Sequence, residues 1–169
     1  MLEANGVAHF EEPCPHWELE WTREVAEALD VDVAGGEQDC FLPQWRRMVD
    51  IGAVDVLQPD VCYVGGLTRA LKVVEMARGR AIPVTPHSAN LSLVTVFTLH
   101  LVSAIANAGP FVEFSIEGPE YYPWQDGIFT PALVAVDGMV ATPSGPGWGV
   151  DIEPSWLEGA DYQVSRWDL

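Results

Sequence analysis

Residues 54–66, VDVLQPDVCYVGG, decide how the fold is read. Val54, Val56 and Leu57 make a short apolar run, the kind that forms a strand buried on both faces of a parallel sheet. Asp60 closes the run, two glycines follow, and a helical pattern runs from Leu67 to Arg78. A strand that ends on an acid and turns through glycine into a helix is one βα repeat.

The same unit recurs on either side. Val7 to Glu12, Val31 to Glu37, Ile82 to His87 and Phe111 to Ile116 are further Val-, Ile- or Phe-rich runs. Between the runs the pattern predicts helices over Thr22 to Leu29, with Thr22 as a cap, Leu42 to Ile51, and Leu91 to Ala106. Glu11, Glu37, Asp60 and His87 each close a run, and Glu113 sits inside the last, at a spacing of about 25 residues. That is the length of one strand, one helix and two loops in a (β/α) barrel, where catalytic groups occupy the C-terminal strand ends. The fold class expected is α/β, a partial TIM barrel, since a complete barrel needs about 250 residues and this chain has 169.

After Glu117 the character changes. Glu117 to Pro131 reads as a loop rich in Pro, Tyr and Trp, and Ala132 to Thr142 as a hairpin turning at Asp137-Gly138. Pro143 to Gly149, PSGPGWG, is irregular, and a short helix is expected over Pro154 to Ala160. The expected division is residues 1–118 as barrel and 119–169 as a tail packing against the barrel or a capping domain.

The net charge of −17, with Lys72 the sole lysine, argues against a nucleic-acid backbone or an anionic membrane surface as partner. Cys14, Cys40 and Cys62 form no CxxC pair, so a disulfide framework or structural zinc is not expected and a reducing, cytoplasmic setting fits. No leader pattern is evident at the N-terminus, and the apolar Val94 to Ile105 carries His100 and is too short to span a bilayer.

HFEEP at 9–13, GGEQ at 35–38, LQPDVCYVGG at 57–66 and TPHSAN at 85–90 together resemble the C-terminal barrel half of the enolase superfamily, in its mandelate racemase-like branch. The resemblance covers residues 5 to 150 and implies barrel strands four to eight. It implies removal of a proton alpha to a carboxylate through a magnesium-stabilised enediolate. Such a proton is weakly acidic because its loss adds a second negative charge to the carboxylate, and a divalent cation offsets that charge. By resemblance Glu11 and Glu37 are the magnesium ligands, hard oxygen donors from adjacent strand ends. Either carboxylate taken alone reads better as a helix cap or a solvated group; together, in these motifs, they read as ligands. Glu12 and Gln38 follow the ligands directly, and since strand side chains alternate faces they are expected to support them rather than bind the metal.

Asp60 and His87 resemble the family's His-Asp dyad, in which the carboxylate fixes the tautomer and the other ring nitrogen faces substrate. By resemblance Glu113 hydrogen-bonds the substrate carboxylate or the enediolate; a carboxyl inside an apolar run has its neutral form favoured by desolvation, and a salt-bridged structural role is the competing account. Ser88 and Asn90 are expected to line the pocket, and Tyr121, Tyr122 and Trp124 either join them or pack on the surface, while His9, His16 and His100 read as structural. The absence of a lysine at any strand end weakens a muconate-lactonising reading.

The family also has a capping domain, three earlier strands, a lysine-bearing strand and a third, aspartate metal ligand, none of which is located in this sequence. The expected activity is dehydration of an acid sugar. The alternatives are racemisation or epimerisation of a 2-hydroxy acid, or a non-catalytic barrel fragment serving as a binding or assembly module. The expected partners are a small carboxylate substrate and either further copies of this chain or a missing N-terminal half.

Overall fold

The computed structural model describes residues 1–123, 125 and 127–166. They divide into two compact units, the first over Met1–Ser115 and the second from Ile116 onward.

In the first unit a single helical turn at Glu3–Asn5 precedes β1 (His9–Glu11), α1 (Leu19–Ala28), β2 (Asp32–Gly35), α2 (Leu42–Ile51), β3 (Val56–Leu57), α3 (Leu67–Arg78) and α4 (Leu93–Ala104). The three strands are parallel in the order β1-β2-β3, with Glu11 opposite Ala34 and Gly35 opposite Leu57. The parallel series continues as single bridges, Leu57 to Val84 and Val84 to Ala108. Five segments therefore lie side by side in chain order, as a βα repeat requires.

The fourth run, Ile82 to His87, pairs only at Val84. Pro83 and Pro86 flank that pairing and have no N–H to extend the ladder. The fifth expected strand, Phe111 to Ile116, is not a strand; the chain meets its neighbour earlier, where Val84 N–H donates to Asn107 O at 2.8 Å and Gly109 N–H to Val84 O at 2.8 Å. Gly109 permits this approach, because a Cβ there would lie 2.1 Å from Thr85 Oγ1. α1 begins three residues before the expected start, and Thr22 lies inside it, with its hydroxyl donating to Glu18 O rather than capping. α4 begins at Leu93, capped by Ser92, whose side chain accepts from Val94 N–H.

Helix faces and strands close one apolar core around Val33, Trp45, Ala53, Leu57, Ala70, Val73, Ala77 and Val84, all fully excluded from solvent. Leu57 and Val84 come from the paired segments and Trp45, Val73 and Ala77 from α2 and α3, so burial of the helices and alignment of the strand ends are one event.

In the second unit β4 (Phe129–Thr130) pairs antiparallel with β7 (Asp151–Ile152). The hairpin between β5 (Ala135–Val136) and β6 (Met139–Val140) turns at Asp137 and Gly138, with φ of 52° and 74°, the left-handed pair of a tight two-residue turn. α5 is Pro154–Glu158. The pairing of β4 with β7 was not expected from sequence. Among the described residues no helix is long and apolar enough to cross a membrane.

Candidate active site

Glu11 is the last residue of β1, Glu37 follows β2, Asp60 follows β3, and His87 follows the Val84 bridge, so all four stand at one end of the parallel series. The turn after β2 is tight. Gly36 has φ of +112°, and a Cβ there would lie 2.5 Å from Trp45 Cη2. Trp45 Nε1–H in turn donates to Asp39 O at 2.9 Å. The turn carrying Glu37 is thus pressed against a buried ring and held by it.

His87 and Asp60 are brought together. His87 Nδ1 lies 2.8 Å from Asp60 Oδ2, and both side chains are buried. The other Asp60 oxygen accepts the N–H groups of Cys62 at 2.6 Å and Tyr63 at 2.8 Å. Burial works to raise the Asp60 pKa, yet the His87 hydrogen bond, the two N–H groups and the imidazole charge outweigh it, and the carboxyl titrates below its usual range. The His87 pKa is raised, chiefly by the Asp60 hydrogen bond against the opposing effect of burial, with help from the charges of Glu113, Glu37 and Asp60. A carboxylate on Nδ1 leaves Nε2 directed at the cluster, 3.3 Å from Glu37 Oε2 and 4.0 Å from Glu113 Oε2. The Tyr63 ring stacks beside the imidazole at 6.1 Å between centroids.

Glu113 reaches this cluster from irregular chain beyond Gly109. Its Oε2 accepts Ser88 N–H at 2.6 Å, and Gln58 Nε2 stands 3.5 Å from Oε1. Burial raises its pKa against the Ser88 hydrogen bond and the His87 charge. Glu37 is pushed up to about 7, first by burial, with His87 opposing and the Glu11 hydrogen bond and the Glu12 and Glu11 charges adding to it.

Carboxyl groups therefore crowd one place: Glu37, Asp60 and Glu113 around His87, and Glu11 beside Glu37. Glu12 adopts φ of 40°, which breaks regular strand alternation, and its Oε1 is buried with no hydrogen-bond partner. Glu37, hydrogen-bonded to Glu11 and crowded by its charge, and Glu11 itself offer hard oxygens of the kind a divalent cation takes. Among the described residues no group of three His, Cys, Asp or Glu is arranged to hold a metal by itself.

Gln38 Nε2 donates to Glu37 Oε1 at 3.1 Å. Ser88 is buried, with its N–H taken by Glu113 and its hydroxyl paired to Thr95 Oγ1 at 2.9 Å. Both groups of Ser88 are thus engaged within the protein. Asn90 is half-buried, and its carbonyl accepts the Thr95 hydroxyl. Tyr121 and Tyr122 belong to the second unit, and Trp124 lies outside the described residues. Sequence reasoning missed Gln58, which is two residues before Asp60 and so shares its face, a signal the alternation rule offered. It also missed Asp39, whose pKa burial raises to about 6, with His16 opposing and Glu12 reinforcing.

A family described as enolase C-terminal domain-like matches residues 1–156. The chain belongs to this family. The enolase C-terminal domain is a TIM-barrel-like α/β fold, in agreement with the parallel βα series seen here. Its neighbours lie in the mandelate racemase/muconate lactonizing enzyme part of the enolase superfamily. A solved structure from Roseobacter denitrificans, provisionally described as a racemase, is 58% identical, with a TM-score of 0.90 over 96% of this chain and 44% of its own. Arabinonate dehydratase of Saccharolobus solfataricus is 28% identical over 93% of this chain and 41% of its own length. D-galactarolactone cycloisomerase of Agrobacterium fabrum is 29% identical over 87% of this chain and 40% of its own. The chain thus spans about two fifths of the curated relatives it matches.

Proposed function

We propose that this chain contributes strands four to eight of a barrel that removes a proton alpha to a carboxylate with magnesium, and that the reaction is dehydration of an acid sugar. The observation that carries the reading is the His87 imidazole, held through Nδ1 by Asp60 with Nε2 facing two carboxyl groups.

Glu11 and Glu37 would hold the magnesium, which when bound supplies positive charge against the charge that builds on the substrate carboxylate. The chain's own residues do the rest. Asp60 keeps the Nδ1 proton in place, so neutral His87 accepts the alpha proton at Nε2 and the imidazolium formed is stabilised by Asp60. His87 then returns that proton to the departing β-hydroxyl, which leaves as water. Glu113, whose protonated form burial favours, hydrogen-bonds a substrate carboxylate oxygen. Glu12 and Gln38 orient the ligands.

The test is a panel of acid sugars in deuterated water with magnesium, using protein that contains this chain together with the remainder of its barrel. Deuterium at the alpha carbon, or loss of water, in no member of the panel would overturn the reading. The 58% identity to the protein described as a racemase supports a second reading, racemisation or epimerisation of a 2-hydroxy acid. That outcome would show as inverted product with no water lost. The partners proposed are the small carboxylate substrate and either the remaining barrel half or further copies of the chain, in the cytoplasm.

A further inference from the structure

Thr95 lies in the first turn of α4, fully buried, and touches no reacting group. Its hydroxyl has three partners: Asn90 O at 2.5 Å, Ser92 N–H at 3.3 Å and Ser88 Oγ at 2.9 Å. A threonine hydroxyl has one proton and two lone pairs. Asn90 O only accepts, so it takes the Thr95 proton. Ser92 N–H only donates, so it fills one lone pair. The Ser88 hydroxyl must then donate to the other, and every hydrogen-bonding position on Thr95 is used.

Two consequences follow for the segment after His87. The Ser88 proton is committed to Thr95, so Ser88 Oγ can serve a ligand only as an acceptor. Ser88 is also pinned by its side chain while its N–H donates to Glu113 Oε2 at 2.6 Å. We propose that Thr95 is a positioning residue for the candidate site, acting through Ser88 to fix the Glu113 carboxyl opposite His87. The importance of Glu113 rests on the proposed function, whereas the test below reads the hydrogen bonds directly, so either can fail alone.

The test uses the full chain, labelled with ¹⁵N, and follows the amide of residue 88. In Thr95→Val, which keeps the shape and removes the hydroxyl, that amide is expected to move upfield and to exchange with solvent faster by about tenfold, the loss of a charge-assisted hydrogen bond. Thr95→Ser restores the hydroxyl and should return both readings toward wild type. Ser88→Ala cuts the link from the other side and should match Thr95→Val, deciding the matter if the valine variant does not fold. Ser92→Ala weakens the same helix cap without touching Ser88 and should leave the amide in place. An unmoved residue 88 amide in Thr95→Val or Ser88→Ala, a failed serine rescue, or an equal shift in Ser92→Ala would overturn the proposal.

Discussion

His87 Nδ1 sits 2.8 Å from Asp60 Oδ2, joining residues from two neighbouring parallel segments through a contact excluded from solvent. The segments bring the groups together, but the N–H groups of Cys62 and Tyr63 aim the carboxylate. With both Asp60 oxygens engaged and Nδ1 taken, His87 is left with Nε2 facing the Glu37 and Glu113 carboxyl groups.

In protein containing the complete barrel, His87→Asn should abolish exchange of the alpha proton on its face while leaving magnesium affinity nearly intact. Glu37→Gln should instead weaken magnesium binding, because it removes a charged hard ligand. Isotope exchange and metal titration, run on both variants, separate the roles; unchanged exchange in the His87 variant would move the base elsewhere.

The pH dependence of stability in chelator has two limbs. Asp60 titrates below its ordinary value near 3.8, so its contribution is present above that pH and is lost as pH falls through its folded pKa. His87 titrates above 6.5, so its contribution is complete below that pH and is lost as pH rises through its folded value. Glu37, raised from 4.5 to about 7, binds more protons folded than unfolded and lowers stability across that interval. Urea midpoints should therefore be higher near pH 5 than at pH 8 or pH 3, and Asp60→Asn should flatten the acid limb. A midpoint that climbs steadily to pH 8 would contradict this.

Gly36→Ala should destabilise the first unit by about 1–3 kcal/mol, from a strained φ and a side chain forced on Trp45. Because Glu37 is the next residue, the same change should weaken magnesium binding. Denaturant unfolding and metal titration check the pair. Gly52→Ala provides the comparison, since its φ of +64° is also left-handed but a Cβ there meets nothing.

The isolated chain should self-associate and turn over no substrate. Among the described residues β1 pairs on one side only, with β2, and the series ends at the single bridge of Ala108; Val7 and Phe111, which flank these end segments along the chain, are exposed. Open strand edges and apolar surface recruit partners. Sedimentation of the purified chain together with the acid-sugar panel decides it: a stable monomer with turnover would show that these residues need no other barrel half.

Much of this was legible because local chemistry announced it. Val56 and Leu57 before Asp60, and Gly65-Gly66 before Leu67, were enough to place β3, the turn and α3, since buried strands need apolar runs and sharp turns need glycine. Asp137-Gly138 turned where a two-residue hairpin must. The last parallel segment was misplaced, because pairing at Ala108 depends on Gly109 having no side chain to meet Thr85, a neighbour far away in sequence. The candidate groups stood out from their positions at the ends of apolar runs, but their mutual arrangement did not. That the Ser88 hydroxyl is committed to Thr95, that Glu12 leaves the strand alternation, and that Trp45 holds the Glu37 turn are matters of distance. Residue order along the chain carries periodicity and turn chemistry, whereas hydrogen-bond partners across the core exist only once packing has brought separate segments within 3 Å.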